Sequence, residues 1–312
     1  MAIGVNPTKA KDGMKYLPRL AQTVEGYRKQ DPHVIKKLPV EADVPEYLVK
    51  AALGKEASEM EKAVGDLALV AFYYLLRVGE YTKKGTRNES KRTVAFKMED
   101  ITFFNKNERG QWRQIPRDAP EEVLLTACGA TLKLDNQKNG WKNVCVFQQS
   151  NGAGLFDPVL ALARRYVHVR SNTHAADFAK APLSTVVVDG ERKHVTDKHI
   201  RAGLKLAATA LDYPRTRSIP INRIDTHSLR IGGANALSLS GYSDTQIQKM
   251  GRWRGATFKD YIREQLACFA EGMTTAMRQQ FNFVNVEGGV ASDITDVVVT
   301  LPYEVDNHAA AA

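Results

Sequence analysis

Residues 227–264 read HSLRIGGANALSLSGYSDTQIQKMGRWRGATFKDYIRE. The apolar spacing predicts helix through this stretch, interrupted near Gly241 and again across Gly251 to Gly255. His227 and Arg230, three positions apart, fall on one face of the first helix. Gly251-Arg252-Trp253 opens a loop, and Tyr261 follows within Asp-Tyr-Ile-Arg. Taken singly, each residue has a plainer reading. His227 and Arg230 would be a helix surface pair, Trp253 a core side chain, and Tyr261 one of 11 tyrosines used for packing.

The pattern around this stretch is mostly helical. Glu56 to Val78 carries Met60, Ala63, Val64, Leu67, Ala71, Tyr74 and Leu75 at helical spacing. It places Arg77 at the C-terminal end of an apolar helix, where a cation also suits the helix dipole. Glu80 follows three residues on. Thr93 to Phe104 and Val123 to Leu134 read as strands. Asn143 to Gln149 pairs with the second of these across residues 135–142, where Asn139-Gly140 is a hairpin-turn signal. That hairpin puts Lys138 at its tip, with Lys133 in the strand and Lys142 beyond the turn. Asp157 to Ser171 is a helix with Asp157 as N-cap and Pro158 in its first position. Thr196 to Leu211 is another, with Ile200, Leu204, Ala207 and Leu211 on one stripe. The expected class is α+β, mainly α, with a small antiparallel sheet.

Composition narrows the partners. The 312 residues are 43% hydrophobic and 25% charged, as in a soluble globular chain. There is no apolar run of membrane-spanning length, and residues 1–15 lack a signal-peptide core, so an intracellular protein is expected. Cys128, Cys145 and Cys268 form neither a zinc pattern nor a disulfide framework and read as buried thiols. The net charge is +9, unevenly spread. No Lys or Arg follows Arg278, whereas Glu287, Asp293, Asp296, Glu304 and Asp306 do. Residues 1–281 therefore hold 44 basic side chains against 30 acidic ones. A surplus of that size favours a polyanion such as nucleic acid through counterion release.

The order Arg77, hairpin Lys138, His227-x-x-Arg230, Trp253, Tyr261 resembles the catalytic domain of tyrosine recombinases, the phage-integrase type of DNA-breaking and rejoining enzyme. The resemblance covers residues 40–282. It implies a remnant of an N-terminal core-binding helix and linker at 1–39, and an acidic tail at 283–312. Phosphoryl transfer explains why such residues are wanted. A phosphodiester repels nucleophiles and has a poor leaving group. Arg77 and Arg230 would grip its non-bridging oxygens and stabilise the charge that builds in the transition state. Tyr261 would supply the attacking hydroxyl, whose ordinary pKa near 10 requires help at neutral pH. By resemblance His227 assists that proton transfer and Lys138 protonates the departing 5′-oxygen. Trp253 would donate its indole N–H to the phosphate, and Glu80 would hold the arginine and histidine from behind.

The same resemblance implies duplex DNA carrying a specific site as substrate, a homotetramer on DNA, no metal and no other cofactor. Two other readings share many of these residues: a DNA-binding protein that has lost strand exchange, and a type IB topoisomerase. The chain departs from the family pattern in two respects. Arg77 comes early, with only residues 1–39 before the catalytic domain where family members carry a whole core-binding domain. Trp253 precedes Tyr261 by eight residues where nine is usual, and Arg252 takes the ninth place, positioned to intrude on the site.

Overall fold

The computed structural model describes residues 37–83, 93–134 and 143–253, together with Thr23, Gly255 and Lys259. Within these the architecture is mainly helical, with a four-stranded antiparallel sheet and a separate two-stranded hairpin.

The central element is helix α2 (Glu59–Tyr73), which follows α1 (Asp43–Ala51). Its start is a capping box: Ser58 Oγ accepts from the Glu61 N–H at 3.2 Å, and Glu61 Oε2 accepts from the Ser58 N–H at 2.8 Å. Every residue from Ala63 to Phe72 is buried, so α2 is covered on all sides. Its neighbours include α1, α5 (Pro158–Ser171), α7 (Asp197–Ala210) and α9 (His227–Leu239). The one acid in that interior, Asp66, takes two bonds from the Arg164 guanidinium, at 2.9 and 2.5 Å. Helix α5 begins as its sequence predicts, with the Asp157 carboxylate accepting from the N–H groups of Val159 and Leu160.

The sheet has the order β2–β1–β3–β4, from β1 (Ile101–Lys106), β2 (Trp112–Gln114), β3 (Gly129–Leu134) and β4 (Val144–Gln149). Ile101, Phe103, Ala130, Leu132, Leu134 and Val146 face the core, and the alternate residues face outward. β3 and β4 pair antiparallel from Gly129↔Gln149 to Leu134↔Val144, as expected for a hairpin. Its tip, residues 135–142 with Lys138, lies outside the described residues, as does everything from 260 onward, Tyr261 included. Lys133 is on the exposed face of β3, opposite Cys145.

Four expectations are corrected. The strand expected over Thr93–Phe104 begins only at Ile101, after a single 3-10 turn at Met98–Asp100. The helix expected over Glu56–Val78 ends at Tyr73, and a separate short helix α3 (Val78–Tyr81) begins just beyond it, so Arg77 caps α3 instead of ending α2. The strand expected from Val123 begins only at Gly129; residues Glu121–Leu125 form helix α4, because Pro120 supplies a helix start. Cys145 is exposed and Cys128 partly so; neither is a buried thiol. A hairpin of β5 (Thr185–Val188) and β6 (Glu191–His194) turns at Asp189-Gly190, both with positive φ. The break at Gly241 is where the sequence places it. It separates α9 from α10 (Asp244–Gly251), which Ser243 and Gln246 cap reciprocally. The remaining short helices are α6 (Ala175–Phe178) and α8 (Tyr213–Thr216). Among the described residues no helix is long and apolar enough to cross a membrane.

Candidate active site

Two helix C-termini meet at the site, and both end on a left-handed residue that is not glycine. At the end of α2, Leu75 has φ +49; its N–H donates to Phe72 O at 3.3 Å and the Leu76 N–H donates to Ala71 O at 2.9 Å. At the end of α10, Arg252 has φ +57; its N–H donates to Lys249 O at 3.1 Å and the Trp253 N–H donates to Gln248 O at 3.0 Å. Both are the reverse-turn ending that glycine usually supplies. A side chain in this region costs on the order of 1 kcal/mol. Burial of that side chain offsets the cost at each end. Leu75 packs with Ala234, Ile247 and Trp253, and Arg252 is 2% exposed inside a set of hydrogen bonds.

Arg230 ties the two ends together. From the first turn of α9 its guanidinium donates to Leu75 O through Nη1 and to Gly251 O through Nη2. A cation bridging the carbonyl ends of two helices is favourably placed in both dipoles. The Trp253 ring lies over it, 4.4 Å from ring centroid to Cζ. Arg230 is 1% exposed. The sequence predicts a guanidinium open to a phosphate; here it is covered by Trp253 and bonded to backbone. Trp253 reaches this position because Gly251 has no side chain: a Cβ there would stand 1.6 Å from the indole.

The second cluster is built on Glu80, which is fully buried. Its Oε2 accepts from the Arg77 N–H at 3.0 Å, and its Oε1 accepts from Arg77 Nη1 at 3.2 Å. Its Oε2 also accepts from Arg252 Nη2 at 3.0 Å. Arg252 further donates to Tyr74 O and Leu75 O, both at 3.1 Å. Of the three guanidiniums, that of Arg77 is the most exposed, at 21%. Arg252 therefore does not intrude on the site. It is packed behind Glu80, with the carboxylate between it and Arg77.

His227 opens α9, on the same face as Arg230. The segment before it is anchored from α7: Arg201 Nε donates to Asp225 Oδ1 at 2.9 Å, and that same oxygen accepts from the Thr226 N–H at 2.7 Å. Gly232 and Gly233 let α9 approach closely; a Cβ at Gly232 would lie 1.8 Å from Val40 O. Burial, followed by the nearby charges of Arg230 and Arg77, pushes the His227 imidazole down from 6.5 to about 4, with Asp225 opposing. At neutral pH the imidazole is therefore uncharged.

The structure thus brings together Arg77, Glu80, His227, Arg230 and Trp253 from three separate stretches of chain. Lys138 and Tyr261 lie outside the described residues. What sequence reading missed is the structural part of Arg252 and Leu75. Neither a leucine in an apolar run nor an arginine in a basic chain signals a left-handed cap. Among the described residues, no group of three or more His, Cys, Asp or Glu side chains is placed to hold a metal ion.

No protein-family model matches the chain, and no curated protein does. Among solved structures it is similar to DNA recombinases and transposon integrases. One is XerA recombinase, 15% identical with a TM-score of 0.44, covering 87% of this chain and 78% of that one. Another is the Tn1549 transposon integrase in complex with circular intermediate DNA, 11% identical with a TM-score of 0.39, covering 83% of this chain and 76% of that one.

Proposed function

We propose that the chain is a DNA strand transferase of the tyrosine recombinase type. The Tyr261 oxygen attacks a backbone phosphorus, its proton passes to His227, and the bond from phosphorus to the 5′-oxygen breaks. Lys138 protonates that oxygen. A 3′-phosphotyrosyl link results, and the reverse attack by a 5′-hydroxyl reseals the strand. The link conserves the bond energy, so resealing requires no ATP, and in this reading Arg77, Arg230 and Lys138 supply the positive charge at the phosphate.

The observation that carries this reading is that Arg77, His227, Arg230 and Trp253 come together from three stretches of chain, with Trp253 over Arg230 and both arginines acting on the His227 imidazole. Cations held in a low-dielectric setting are what a phosphoryl transition state needs. The imidazole beside them is in its neutral form, the protonation state a proton acceptor requires. Arg77 offers the accessible guanidinium. Arg230 would engage a phosphate by exchanging one of its carbonyl partners. The basic surplus of residues 1–281 supports duplex DNA as the substrate; the specific target site and the homotetramer belong to the proposal through the resemblance alone.

The test uses a nicked, labelled duplex carrying the target site, selected first from a random-sequence library. After denaturation, wild-type protein should retain covalently attached DNA. Tyr261→Phe, which keeps the ring and removes only the hydroxyl, should bind the duplex and retain none. An adduct of equal yield from the phenylalanine variant would refute the assignment.

A further inference from the structure

Glu80 sits in an unusual position for a residue whose task is to hold a phosphate-binding arginine. A fully buried carboxylate that takes two hydrogen bonds from Arg77 also draws that guanidinium's charge away from any ligand. With only those two groups, the pair would be neutral and Arg77 a poor anion ligand. The second guanidinium changes this balance. Arg252 donates to the same carboxylate oxygen that accepts the Arg77 N–H, from a site 2% exposed and bonded also to Tyr74 O and Leu75 O. The triad Arg77–Glu80–Arg252 then carries one net positive charge, and Arg77 is its accessible end.

We propose that Arg252 is a positioning residue that neutralises Glu80 from behind, so that Glu80 can orient Arg77 without cancelling its charge toward an oxyanion. This rests on the reading of Arg77 as a phosphate ligand and adds a residue to it. The left-handed backbone at Arg252 serves the same end. It turns the side chain back under α10 toward Glu80 while sending Trp253 forward over Arg230. One residue thereby couples the two clusters.

The distinguishing feature of a charge-balancing role is rescue by removal of the opposite charge. The experiment titrates inorganic phosphate into the full chain at low ionic strength by calorimetry, with Arg77→Ala defining the binding that belongs to this site. Arg252→Met should weaken Arg77-dependent phosphate binding by about tenfold, the effect of roughly one partly screened charge. Glu80→Gln combined with Arg252→Met should return it to within about threefold of wild type, since the net charge is restored. A purely structural role predicts the opposite order, because the double variant has lost more hydrogen bonds than the single one.

Should Arg252→Met not fold, Arg252→Lys keeps the charge and loses the fork. It should bind phosphate nearly as wild type does while melting at a lower temperature, and a lysine variant without phosphate binding would overturn the proposal. Unchanged binding in Arg252→Met, or a double variant weaker than the single, overturns it as well. If wild-type protein shows no Arg77-dependent phosphate binding, the phosphate-site reading itself fails, and that result is distinct from the others.

Discussion

The most quantitative consequence of the site concerns His227. Its imidazole is pushed from 6.5 down to about 4, first by burial and then by Arg230 and Arg77. The folded state therefore refuses a proton that the unfolded chain accepts. Between those two values the unfolded chain binds more protons, so stability rises with pH there and is lost as pH falls from about 6.5 toward 4. At about 1.4 kcal/mol for each tenfold step in proton concentration, the whole interval is worth about 3 kcal/mol. Between pH 7 and pH 5, the part that is reached comes to about 2 kcal/mol. The perturbation is His227→Gln, which keeps a polar side chain and does not titrate. Urea unfolding of both proteins at pH 7 and pH 5 gives the comparison, because every other titrating group is common to both. Wild type should lose about 2 kcal/mol more than the variant over that step. The acid limb of the cleavage rate should lie below pH 5 for the same reason, since His227 stays able to accept the tyrosine proton until then. Equal pH dependence in the two proteins, or an imidazole resonance titrating near 6.5, would refute the account of an imidazole kept neutral first by burial and then by two guanidiniums.

Other expectations follow from single contacts. Gly251→Ala should displace the indole from Arg230, lowering stability by about 1–3 kcal/mol and changing Trp253 fluorescence; a variant with native melting and fluorescence would show that the ring does not need that space. Asp66→Ala should cost about 3 kcal/mol by leaving the Arg164 cation without its carboxylate, read by urea unfolding, and a loss below about 0.5 kcal/mol would mean that solvent compensates Arg164 fully. For the general acid, Lys138→Ala should stall on ordinary DNA and recover on a substrate with a 5′-bridging sulfur, because a thiolate leaves unprotonated. The same recovery in Lys133→Ala would move the role onto β3.

How much of this was written in the sequence depends on whether the signal is local. Asp157-Pro158 states a helix start by itself and Gly241 states a break, and both are found; the β-like runs at Val123–Leu134 and Asn143–Gln149 state an antiparallel pair, which is found from Gly129 onward. The end of α2 carries no such sign. Residues 74–76 read Tyr-Leu-Leu, with no glycine or proline to stop the helix, and the apolar period runs on to Val78. The stop is tertiary: a left-handed Leu75 is tolerated because its side chain is buried beside Trp253 and its carbonyl receives Arg230 and Arg252. Those partners lie more than 150 positions away in the chain. The β5–β6 hairpin was open to the same reasoning as the Asn139-Gly140 turn, since Asp189-Gly190 has the same chemistry.

The site was legible as a set of residue types and not as a set of contacts. Order and spacing picked out Arg77, His227, Arg230 and Trp253, which the fold brings together from separate stretches of chain. Spacing could not say which arginine faces a ligand. It treated Arg230 as open and Arg252 as an intruder, whereas Arg230 lies under the indole and Arg252 lies behind Glu80. The difference lies in what each guanidinium meets. Among the described residues, Glu80 accepts from Arg77 and Arg252, while Arg230 and Arg252 also reach the backbone carbonyls at two helix ends. A fold that buries two of those arginines almost completely while leaving Arg77 partly exposed directs the surplus charge to one guanidinium. That asymmetry is what makes the rescue of Arg252→Met by Glu80→Gln a direct test of the arrangement.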